Sequence, residues 1–527
     1  MTEEYDGTVR APNHMVASAD QLATSAGNAM FARGGNAVDA AIATNAAIAV
    51  VGPQLCGMGG DLFALIHADG EVYALNSSGR AGSGADADEL RTQGFAEMPY
   101  RHDIRTVTVP GCVDGWLALH ARFGSLPLAD ILEPARRLAT DGFPASPPLA
   151  AALAILDEPS RAQLHEMAEQ GTHTGARVRR PGVAAALDGL VESGRDSFYR
   201  GSFGEGLLAM GAGLYTEADF ETPIATWETP LTTEVFGLEI STVGPNSQGY
   251  LALAGARLAE RLDLAGSPDD ERWAHLLAEA AKAAGRDRPA QLFEGADGAA
   301  ILDLIDGRIG EIDPEIASTS PAPGRDGDTT YLCTAGRGSD GSMMGVSLIQ
   351  SNAAGFGSHL VEQNTGINLH NRGLGFNLTP GHPAEFAPGR RPPHTLVPTI
   401  ARHDGELRSV FGTMGGDAQP QILLQLIARL FHHRETPGQA IGAGRWALRG
   451  ATTGFDAWAT PIDLTLAIEG HAPPGWEDAL ADRGHRTERL DAWDSRFGHA
   501  HAIVVEPNGM LAGAADPRTI VGSCSGG

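Results

Sequence analysis

One helix-like stretch restricts the folds open to this chain more than any other feature. Residues 37–50 are almost all small or apolar, so a helix built from them is buried on most sides. Asp39, Thr44 and Asn45 interrupt the stretch, which is also shorter than the roughly 20 apolar residues that a membrane span needs. A strand-like run, an Asp-Gly turn signal at 69–70 and a return strand follow. These elements predict helices packed on an antiparallel sheet.

The rest of the chain separates by element type. Residues 14–32 are predicted to form one helix, and residues 109–303 carry helical periodicity around a strand-like hairpin at 232–243. Strand-like runs return after residue 329. Residues 306–327 are rich in Asp, Gly and Pro and are predicted to be a linker. The fold class expected from this order is α+β, with a helix-rich first portion.

A threonine pair lies where this linker meets the next strand. Thr329 and Thr330 follow a glycine-rich, charged loop. A threonine hydroxyl needs an adjacent base, and a free α-amino group, with a pKa of about 8, can be that base. Thr329 is therefore a candidate N-terminal nucleophile that is unmasked when the chain is cut between Asp328 and Thr329. The alternative is that the pair simply begins a strand, where threonine is common.

Charge and composition argue against several classes of function. The formal net charge of −27 disfavours nucleic acid and anionic membranes as partners. Lys282 is the only lysine, so a Walker A site, a Ser-Lys dyad or a pyridoxal Schiff base would each have to use it, and each is disfavoured. The acidic N-terminus lacks the apolar core of a secretory signal, so a cytoplasmic location is expected.

No metal or cofactor is expected from the cysteine and histidine patterns. The four cysteines are widely spaced and include no CxxC pair. His165 begins a zincin-like pattern, but Glu169 stands where the second histidine belongs. His499 and His501 share a strand face without an evident third ligand.

An ordered series of motifs extends over nearly the whole chain. The motifs are GGNAVDAA at 34–41, GMGGD at 57–61, VPG at 109–111, DTT at 328–330, FGS at 356–358, RPP at 391–393, GTMGG at 412–416 and DPR at 516–518. In this order they resemble the γ-glutamyltransferase family of N-terminal nucleophile hydrolases. The resemblance implies a four-layer αββα sandwich, in which two packed sheets lie between helical layers.

The resemblance also implies roles for individual residues. Thr329 corresponds to the nucleophile, and Ser351 to the hydroxyl residue that orients it. Gly415 and Gly416 correspond to the pair whose backbone N–H groups hold the tetrahedral oxyanion, a task that suits glycine because no Cβ blocks the approach. Asn352 corresponds to a substrate contact.

Two fragments are implied, a large one of residues 1–328 that ends in a linker at about 306–328, and a small one of residues 329–527. They remain together as a heterodimer, and association of two heterodimers stays open.

Several positions depart from the family pattern. Gly375 stands where the transferases carry an acidic residue that binds the substrate α-amino group, and Arg372 stands where they carry glutamine. The arginine that binds the α-carboxylate is replaced by Ser78, with Arg80 close by. An added arginine and a lost acid favour an anionic acyl group without an α-amine. This pattern resembles the acylase-like and amidohydrolase-like branch of the family.

The paired serines after the Arg-Pro motif are also replaced, by His394 and Thr395. The candidate substrate-binding residues are therefore Arg80, Asn352, Arg372, His394 and Thr395.

The function implied is that of an amidohydrolase or acyltransferase that cleaves itself before Thr329. It would act on a small acyl amide, either a γ-glutamyl amide such as glutathione or a related acid amide, through an acyl-threonine intermediate. Two alternatives stay open: an uncleaved, non-catalytic scaffold, and a processed enzyme that cleaves another acyl bond, such as that of an oxamate-like substrate. Hydrolysis and transfer are not distinguished by any motif.

Overall fold

Two seven-stranded sheets form the centre of the molecule. The structure is a computed structural model that describes residues 6–318, 329–449 and 464–527. The strands of the described residues, in chain order, are β1 Val9–Ala11, β2 His14–Ser18, β3 Asp61–Ala68, β4 Glu71–Ser77, β5 Phe143–Pro144, β6 Arg177–Val178, β7 Thr226–Glu228, β8 Leu231–Val235, β9 Leu238–Thr242, β10 Thr329–Arg337, β11 Met343–Ser351, β12 Val361–Glu362, β13 Ile367–Asn368, β14 Thr399–His403, β15 Glu406–Thr413, β16 Trp446–Arg449, β17 Thr465–Ile468, β18 Arg486–Arg489, β19 Ala500–Val505, β20 Leu511–Ala515 and β21 Ser523–Gly526.

Helices cover the outer faces of these sheets. The α-helices of the described residues are α1 Gln21–Ala32, α2 Ala37–Val51, α3 Ala87–Thr92, α4 Cys112–Phe123, α5 Leu128–Asp141, α6 Pro147–Ala154, α7 Glu158–Gln163, α8 His165–Gln170, α9 Pro181–Ser193, α10 Arg195–Tyr199, α11 Ser202–Met210, α12 Glu217–Glu221, α13 Tyr250–Glu260, α14 Glu271–Gly285, α15 Arg288–Gln291, α16 Gly298–Asp306, α17 Gln419–Ile427, α18 Pro437–Gly442 and α19 Trp476–Asp482. None of them combines the length and hydropathy that a bilayer span requires.

The strands of both large sheets are paired antiparallel. The first sheet has the order β21-β2-β10-β11-β3-β4-β7, and the second has the order β1-β20-β19-β15-β14-β9-β8. Each sheet combines strands that precede residue 318 with strands that follow residue 329. A cut between these two portions would therefore leave them joined by the hydrogen bonds of both sheets.

The three largest apolar clusters of the described residues lie between four layers. The inner core contains Phe63 and Tyr331 from the first sheet and Ile400, Val410 and Ile503 from the second. A second core packs α2, α4, α5 and α9 against the first sheet. A third packs α13, α14, α16 and α17 against the second sheet. The order helix, sheet, sheet, helix is the αββα sandwich that the sequence motifs implied.

Most predicted elements are present, with one clear error. The stretch 14–32 is not a single helix, because β2 occupies its first residues and pairs with both β10 and β21. Helix α1 begins only after Asp20, whose side chain accepts a hydrogen bond from Leu22 N at 2.7 Å and so caps the helix. The partners of β2 lie more than 300 residues away in the sequence. The sequence prediction could not include them, so it followed the local helical periodicity and missed the strand.

The first part of the predicted linker is packed onto the protein. Helix α16 continues into a 3₁₀ helix, Gly307–Glu311. The backbone carbonyl of Ser318 then accepts a hydrogen bond from Lys282 Nζ at 3.0 Å, and its N–H donates to Glu279 Oε2 at 3.0 Å. The remaining linker, residues 319–328, lies outside the described residues.

The only lysine of the chain thus belongs to a buried polar cluster. Lys282 Nζ lies 2.6 Å from Glu279 Oε1 and 3.5 Å from His485 Nδ1. His485 Nε2 lies 2.8 Å from His275 Nδ1, and His275 Nε2 lies 3.0 Å from the carbonyl oxygen of Asp313. Because a carbonyl oxygen only accepts, His275 carries its proton on Nε2 and accepts from His485. Burial lowers the pKa of both imidazoles, which favours their neutral forms.

His485 gives this cluster a defined dependence on pH. Burial, reinforced by the positive charge of Lys282, lowers the pKa of His485 to about 3. An unfolded histidine titrates near 6.5, so between about pH 3 and 6.5 only the unfolded chain binds this proton. The contribution of His485 to stability is complete above about pH 6.5 and decreases by up to about 1.4 kcal/mol for each pH unit below it.

We therefore expect His485→Gln to flatten the dependence of stability on pH. Glutamine keeps one donor and one acceptor but cannot be protonated, so the fall in the unfolding midpoint temperature between pH 7 and pH 5 should be smaller than in the parent protein. His403→Gln is the control, since its side chain is 61% exposed. Equal falls in the parent and in His485→Gln would contradict the buried, neutral state of His485.

Candidate active site

Thr329 occupies the first position of β10, in the interior of the first sheet. The antiparallel register places it opposite Ser351 on β11, and Ser351 opposite Asp61 on β3. The hydroxyl oxygens of Thr329 and Ser351 are 3.0 Å apart. Both side chains are buried. Three strand ends thus bring two hydroxyls and one carboxylate together at one edge of the sheet.

The alternation of side chains along β10 separates the two threonines. Tyr331 contributes to the core between the sheets, whereas Leu332 contributes to the core on the helical side. Since successive strand residues point to opposite faces, Thr329 faces the second sheet and Thr330 faces the helices. The buried hydroxyl of Thr330 has no hydrogen-bond partner within the described residues. Only Thr329 of this pair faces the cluster described next.

Arg372 extends the cluster beyond Ser351. Its Nη2 lies 3.4 Å from Ser351 Oγ, and its Nη1 lies 3.1 Å from Thr395 Oγ1. Burial lowers the pKa of Arg372 to about 10, against the opposing effects of Asp61 and Asp417. The guanidinium therefore stays charged at neutral pH in a site that excludes water.

The glycine pair follows the end of β15 in the second sheet. Gly415 and Gly416 have φ angles of 138° and 55°, which side chains with a Cβ rarely adopt. Gln248 Nε2 donates to the carbonyl oxygen of Gly416 at 3.0 Å and to that of Thr395 at 3.1 Å. Hydrogen bonds thus connect Thr329 to Gly416 through Ser351, Arg372, Thr395 and Gln248.

A buried ion pair supports this connection. Arg288 Nη2 donates to Asp417 Oδ1 at 2.9 Å, and Arg288 Nε donates to Gln248 Oε1 at 2.9 Å. Asp417 directly follows Gly416, so the ion pair fixes the backbone of the glycine pair as well as the Gln248 amide. Sequence reasoning missed Arg288 and Gln248, since neither lies in a motif that indicates this role.

Asp61 forms a second buried cluster beside Arg372. Its Oδ1 accepts from Gly79 N at 2.9 Å, and its Oδ2 lies 3.1 Å from His394 Nε2. Burial raises the pKa of Asp61, but His370, His394 and Arg372 together outweigh burial and lower it overall. Asp61 is thus a buried anion whose charge helps to balance Arg372. It lies in the glycine motif at 57–61, although sequence reasoning gave it no role.

His394 is held by this carboxylate. Burial, together with Arg372, lowers the pKa of His394 to about 3, so the ring is neutral. Its Nε2 donates to Asp61, and its Nδ1 accepts from Leu396 N at 3.4 Å. Both ring nitrogens are therefore engaged, and the geometry favours a role in positioning Asp61 over direct contact with substrate.

Two other predicted binding residues differ in their surroundings. Asn352 is fully buried, and its Oδ1 has no hydrogen-bond partner in the part of the chain that the structure describes. Arg80 is partly exposed and pairs with Glu294 at 2.7 Å and with the carbonyl of Gly389 at 2.8 Å. Arg80 is not part of the hydrogen-bonded series from Thr329 to Gly416. Ser78, two residues before Arg80, is buried, and its Oγ donates a hydrogen bond to Asn76 Oδ1 at 2.8 Å.

The position of Gly375 leaves no room for a side chain. A Cβ at this residue would lie 2.3 Å from the carbonyl oxygen of Pro393. A cleft lined by Arg288, Gly375, Asn377, His382 and Thr395 passes this point. The backbone packing at Gly375 therefore leaves no space for the acidic side chain that the transferases carry at the corresponding position.

Comparison with known proteins gives consistent matches over the whole chain. A family model described as Gamma-glutamyltranspeptidase matches residues 23–524. The chain is 34% identical to the glutathione hydrolase-like YwrD proenzyme of Bacillus subtilis, over 97% of this chain and 98% of that protein. It is also 34% identical to the oxamate amidohydrolase proenzyme of Klebsiella pneumoniae, over 97% of each chain. The structure of cephalosporin acylase from Bacillus halodurans superposes with a TM-score of 0.88 and 31% identity, covering 100% of this chain and 98% of that one.

The unpaired state of the Thr330 hydroxyl within the described residues is testable through stability. Thr330 and Thr334 face the same helical layer. Among the described residues, Thr334 has a hydrogen-bond partner there, the carbonyl oxygen of Ala37 at 2.7 Å, and Thr330 has none. We expect Thr334→Val to lower the free energy of unfolding by about 1 kcal/mol, the value of a typical hydrogen bond, and Thr330→Val to leave it unchanged or higher. Urea unfolding measures both. Equal losses in the two variants would contradict the difference in hydrogen bonding between Thr330 and Thr334.

Proposed function

The chain belongs to the gamma-glutamyltranspeptidase family and is a hydrolase of the N-terminal nucleophile type, and from this premise we propose that Thr329 is its nucleophile. We further propose that the chain is made as a precursor and is cut between Asp328 and Thr329. Asp328 lies outside the described residues, so the proposal rests on Thr329 and its surroundings. The fragments would be residues 1–328 and 329–527.

One observation carries this assignment. The Thr329 hydroxyl lies 3.0 Å from Ser351 Oγ, in a buried hydrogen-bonded series that ends at the glycine pair after β15. A nucleophile at a strand end, an orienting hydroxyl and a glycine pair able to present backbone N–H groups are the parts that acyl transfer through a threonine requires. Thr330 is oriented away from these groups.

The precursor reaction follows from this placement. The Thr329 hydroxyl attacks the carbonyl carbon of Asp328, and the C–N bond between the two residues breaks as the nitrogen takes up a proton. The product is an ester between the main-chain carboxyl group of Asp328 and Oγ1 of Thr329. Water hydrolyses this ester, which leaves a carboxylate on Asp328 and both a free amine and a free hydroxyl on Thr329.

The same atoms then serve the mature enzyme. The Thr329 amine accepts the hydroxyl proton, and Oγ1 attacks the carbonyl carbon of a substrate amide. The N–H groups of Gly415 and Gly416 stabilise the oxyanion of the tetrahedral intermediate. The nitrogen of the substrate amide takes up this proton and leaves as ammonia or an amine. An acyl ester remains on Thr329 Oγ1. Water resolves the ester, while an amine in place of water would give acyl transfer.

Arg372 and Gly375 define the acyl group. A charged, buried arginine next to the nucleophile favours an acyl group that carries a carboxylate, since charge-assisted hydrogen bonds are strongest where water is excluded. The space at Gly375 admits no acidic side chain that could bind an α-amine. We therefore propose a small acid amide, such as oxamate, as the substrate class. The name of the Klebsiella relative supports this class.

A γ-glutamyl amide is the second candidate. The equally similar relative from Bacillus subtilis is named a glutathione hydrolase-like proenzyme, which favours it. The two substrate classes differ in the α-amino group, for which the described site offers Asn352 Oδ1 as a buried oxygen without a partner.

A cytoplasmic location and a pairing of two heterodimers remain predictions, to be tested by cell fractionation and by native mass.

The cut before Thr329 is expected to depend on its hydroxyl. Purified parent protein and Thr330→Val should each give two chains under denaturing conditions, the smaller one beginning at Thr329, and Thr329→Ala should give one. Intact mass measures this. Reductive methylation adds a second readout, because Lys282 is the only lysine and the α-amine of Thr329 appears as an additional labelled amine only after the cut.

Cleavage of Thr329→Ala at the same bond would refute the nucleophile assignment. A parent protein that stays as one full-length chain would favour the non-catalytic scaffold reading instead.

Arg372 is expected to select the acyl group. In fully processed protein, Arg372→Gln should lower kcat/KM for oxamate by about 10- to 100-fold, because one charge-assisted hydrogen bond is worth about 1.5–3 kcal/mol. The ethyl ester of oxamate, which lacks the charge, should lose much less. Arg10→Gln is the matched control, since Arg10 lies on β1 of the second sheet and pairs there with Glu506, with a half-exposed side chain.

The substrate panel should also contain a γ-glutamyl anilide and its analogue without the α-amine. Faster turnover of the compound with the α-amine would favour the γ-glutamyl candidate. Equal losses of the charged and uncharged oxamates in Arg372→Gln would contradict recognition of a carboxylate by this arginine.

A further inference from the structure

Three potential metal ligands converge outside the site around Thr329. One donor atom from each of His102, Asp157 and His359 lies within 4.8 Å of the others. None of these residues belongs to the hydrogen-bonded series from Thr329 to Gly416. They are far apart in sequence, so no spacing motif indicates them. We propose that they form a site for a divalent transition metal of the zinc type.

His359 is already oriented as a ligand. Its Nε2 lies 3.0 Å from the carbonyl oxygen of Gly355, so Nε2 carries the proton and Nδ1 is left as the ring nitrogen with a lone pair, on the side of Ser160. Histidines that bind metals commonly donate their other N–H to a backbone carbonyl in this way.

A buried serine joins the two histidines. Ser160 Oγ lies 2.5 Å from His359 Nδ1 and 3.2 Å from His102 Nε2. Its backbone N–H donates at 3.0 Å to Oδ1 of Asp157, the residue that caps α7. The same helix start therefore positions both the carboxylate and the serine.

The backbone around both histidines is unusual. His102 and His359 have φ angles of 58° and 60°, in the left-handed region that few residues other than glycine adopt. The N–H of His102 donates to the carbonyl of Ser358 at 2.8 Å, so the two segments are fixed to each other beside the cluster. Backbone conformations of this kind persist where the surrounding structure enforces them, often at ligand sites.

The ligand set suits zinc better than magnesium or calcium. Two imidazole nitrogens and one carboxylate are ligands that Zn²⁺ prefers, whereas Mg²⁺ and Ca²⁺ favour oxygen alone. Ligand atoms around tetrahedral Zn²⁺ are about 3.3 Å apart, from bonds of about 2.0–2.1 Å. The side chains of His102 and Asp157 are exposed, so they can move the remaining distance, and they leave a path for the ion. Water or the Ser160 hydroxyl would complete the coordination.

The site would link the two portions of the chain. His102 and Asp157 precede residue 318, and His359 follows residue 329. After a cut before Thr329, a bound ion would therefore connect the two fragments. This consequence rests on the proposed function, whereas metal binding itself does not.

Metal binding is testable with Zn²⁺ and Co²⁺ on the full, chelator-treated protein. We expect one equivalent of Zn²⁺ by calorimetry, and with Co²⁺ the visible absorption of a four-coordinate ion. His102→Gln and Asp157→Asn should each weaken binding by at least about 100-fold, since each removes one of three ligands. Both side chains are exposed, so the fold should be unaffected. Exposed His403→Gln should bind like the parent.

The buried cluster of His275, Glu279 and His485 provides a second control, because its glutamate is already paired with Lys282. Loss of binding in His485→Gln but not in His102→Gln would place the ion there and overturn the proposal. Absence of saturable binding in the parent protein would overturn it as well.

The link between fragments has its own readout. In processed protein, Zn²⁺ should slow the separation of the two chains in urea for the parent and not for Asp157→Asn. If the chain proves to be uncut, calorimetry still decides whether the metal site exists, so the two proposals can fail separately.

Discussion

The pairing of β10 with its neighbours is the constraint on which the rest of the structure depends. Its register with β11 sets Thr329 opposite Ser351, and the register of β11 with β3 adds Asp61 to the same edge. Because a strand alternates its faces, a slip of one residue would turn Thr329 toward the helices and Thr330 toward the second sheet. The buried cores on both sides of β10 fix the register, and the register fixes which hydroxyl faces the glycine pair.

Charge in this interior is balanced by groups of opposite sign that lie close by. Arg288 pairs directly with Asp417, while Arg372 donates to two hydroxyls and has Asp61 nearby. A buried charge without such compensation would be strongly disfavoured. The neutral histidine at position 394 contributes a hydrogen bond to Asp61 and adds no charge. The Arg372 guanidinium therefore lies as a positive charge beside Thr329 in a buried site. A small anionic acyl group must be desolvated to bind there.

How far the sequence predicted the fold depended on how local each interaction is. The hairpin of β3 and β4, the buried helix α2 and the helix α14 were predicted because their patterns are complete within a few turns or residues. Strand β2 was predicted as helix because its stability comes from β10 and β21, which lie hundreds of residues later. Of the site, the family resemblance indicated Thr329, Ser351 and the glycine pair, but not Gln248 and Arg288, which hold the glycine pair.

By itself, the sequence determined the ordered motifs, the junction of loop and strand at Thr329, the single lysine and the absence of an acid at position 375. These are properties of residue identity and short spacing, and they are readable without contacts. Only the tertiary structure decided that Thr330 faces the helices, that Gln248 and Arg288 support the glycine pair, that both nitrogens of His394 are engaged and that Pro393 closes the space at Gly375. Each of these depends on side chains brought together from distant segments by the packing of two sheets, and no local pattern encodes such contacts.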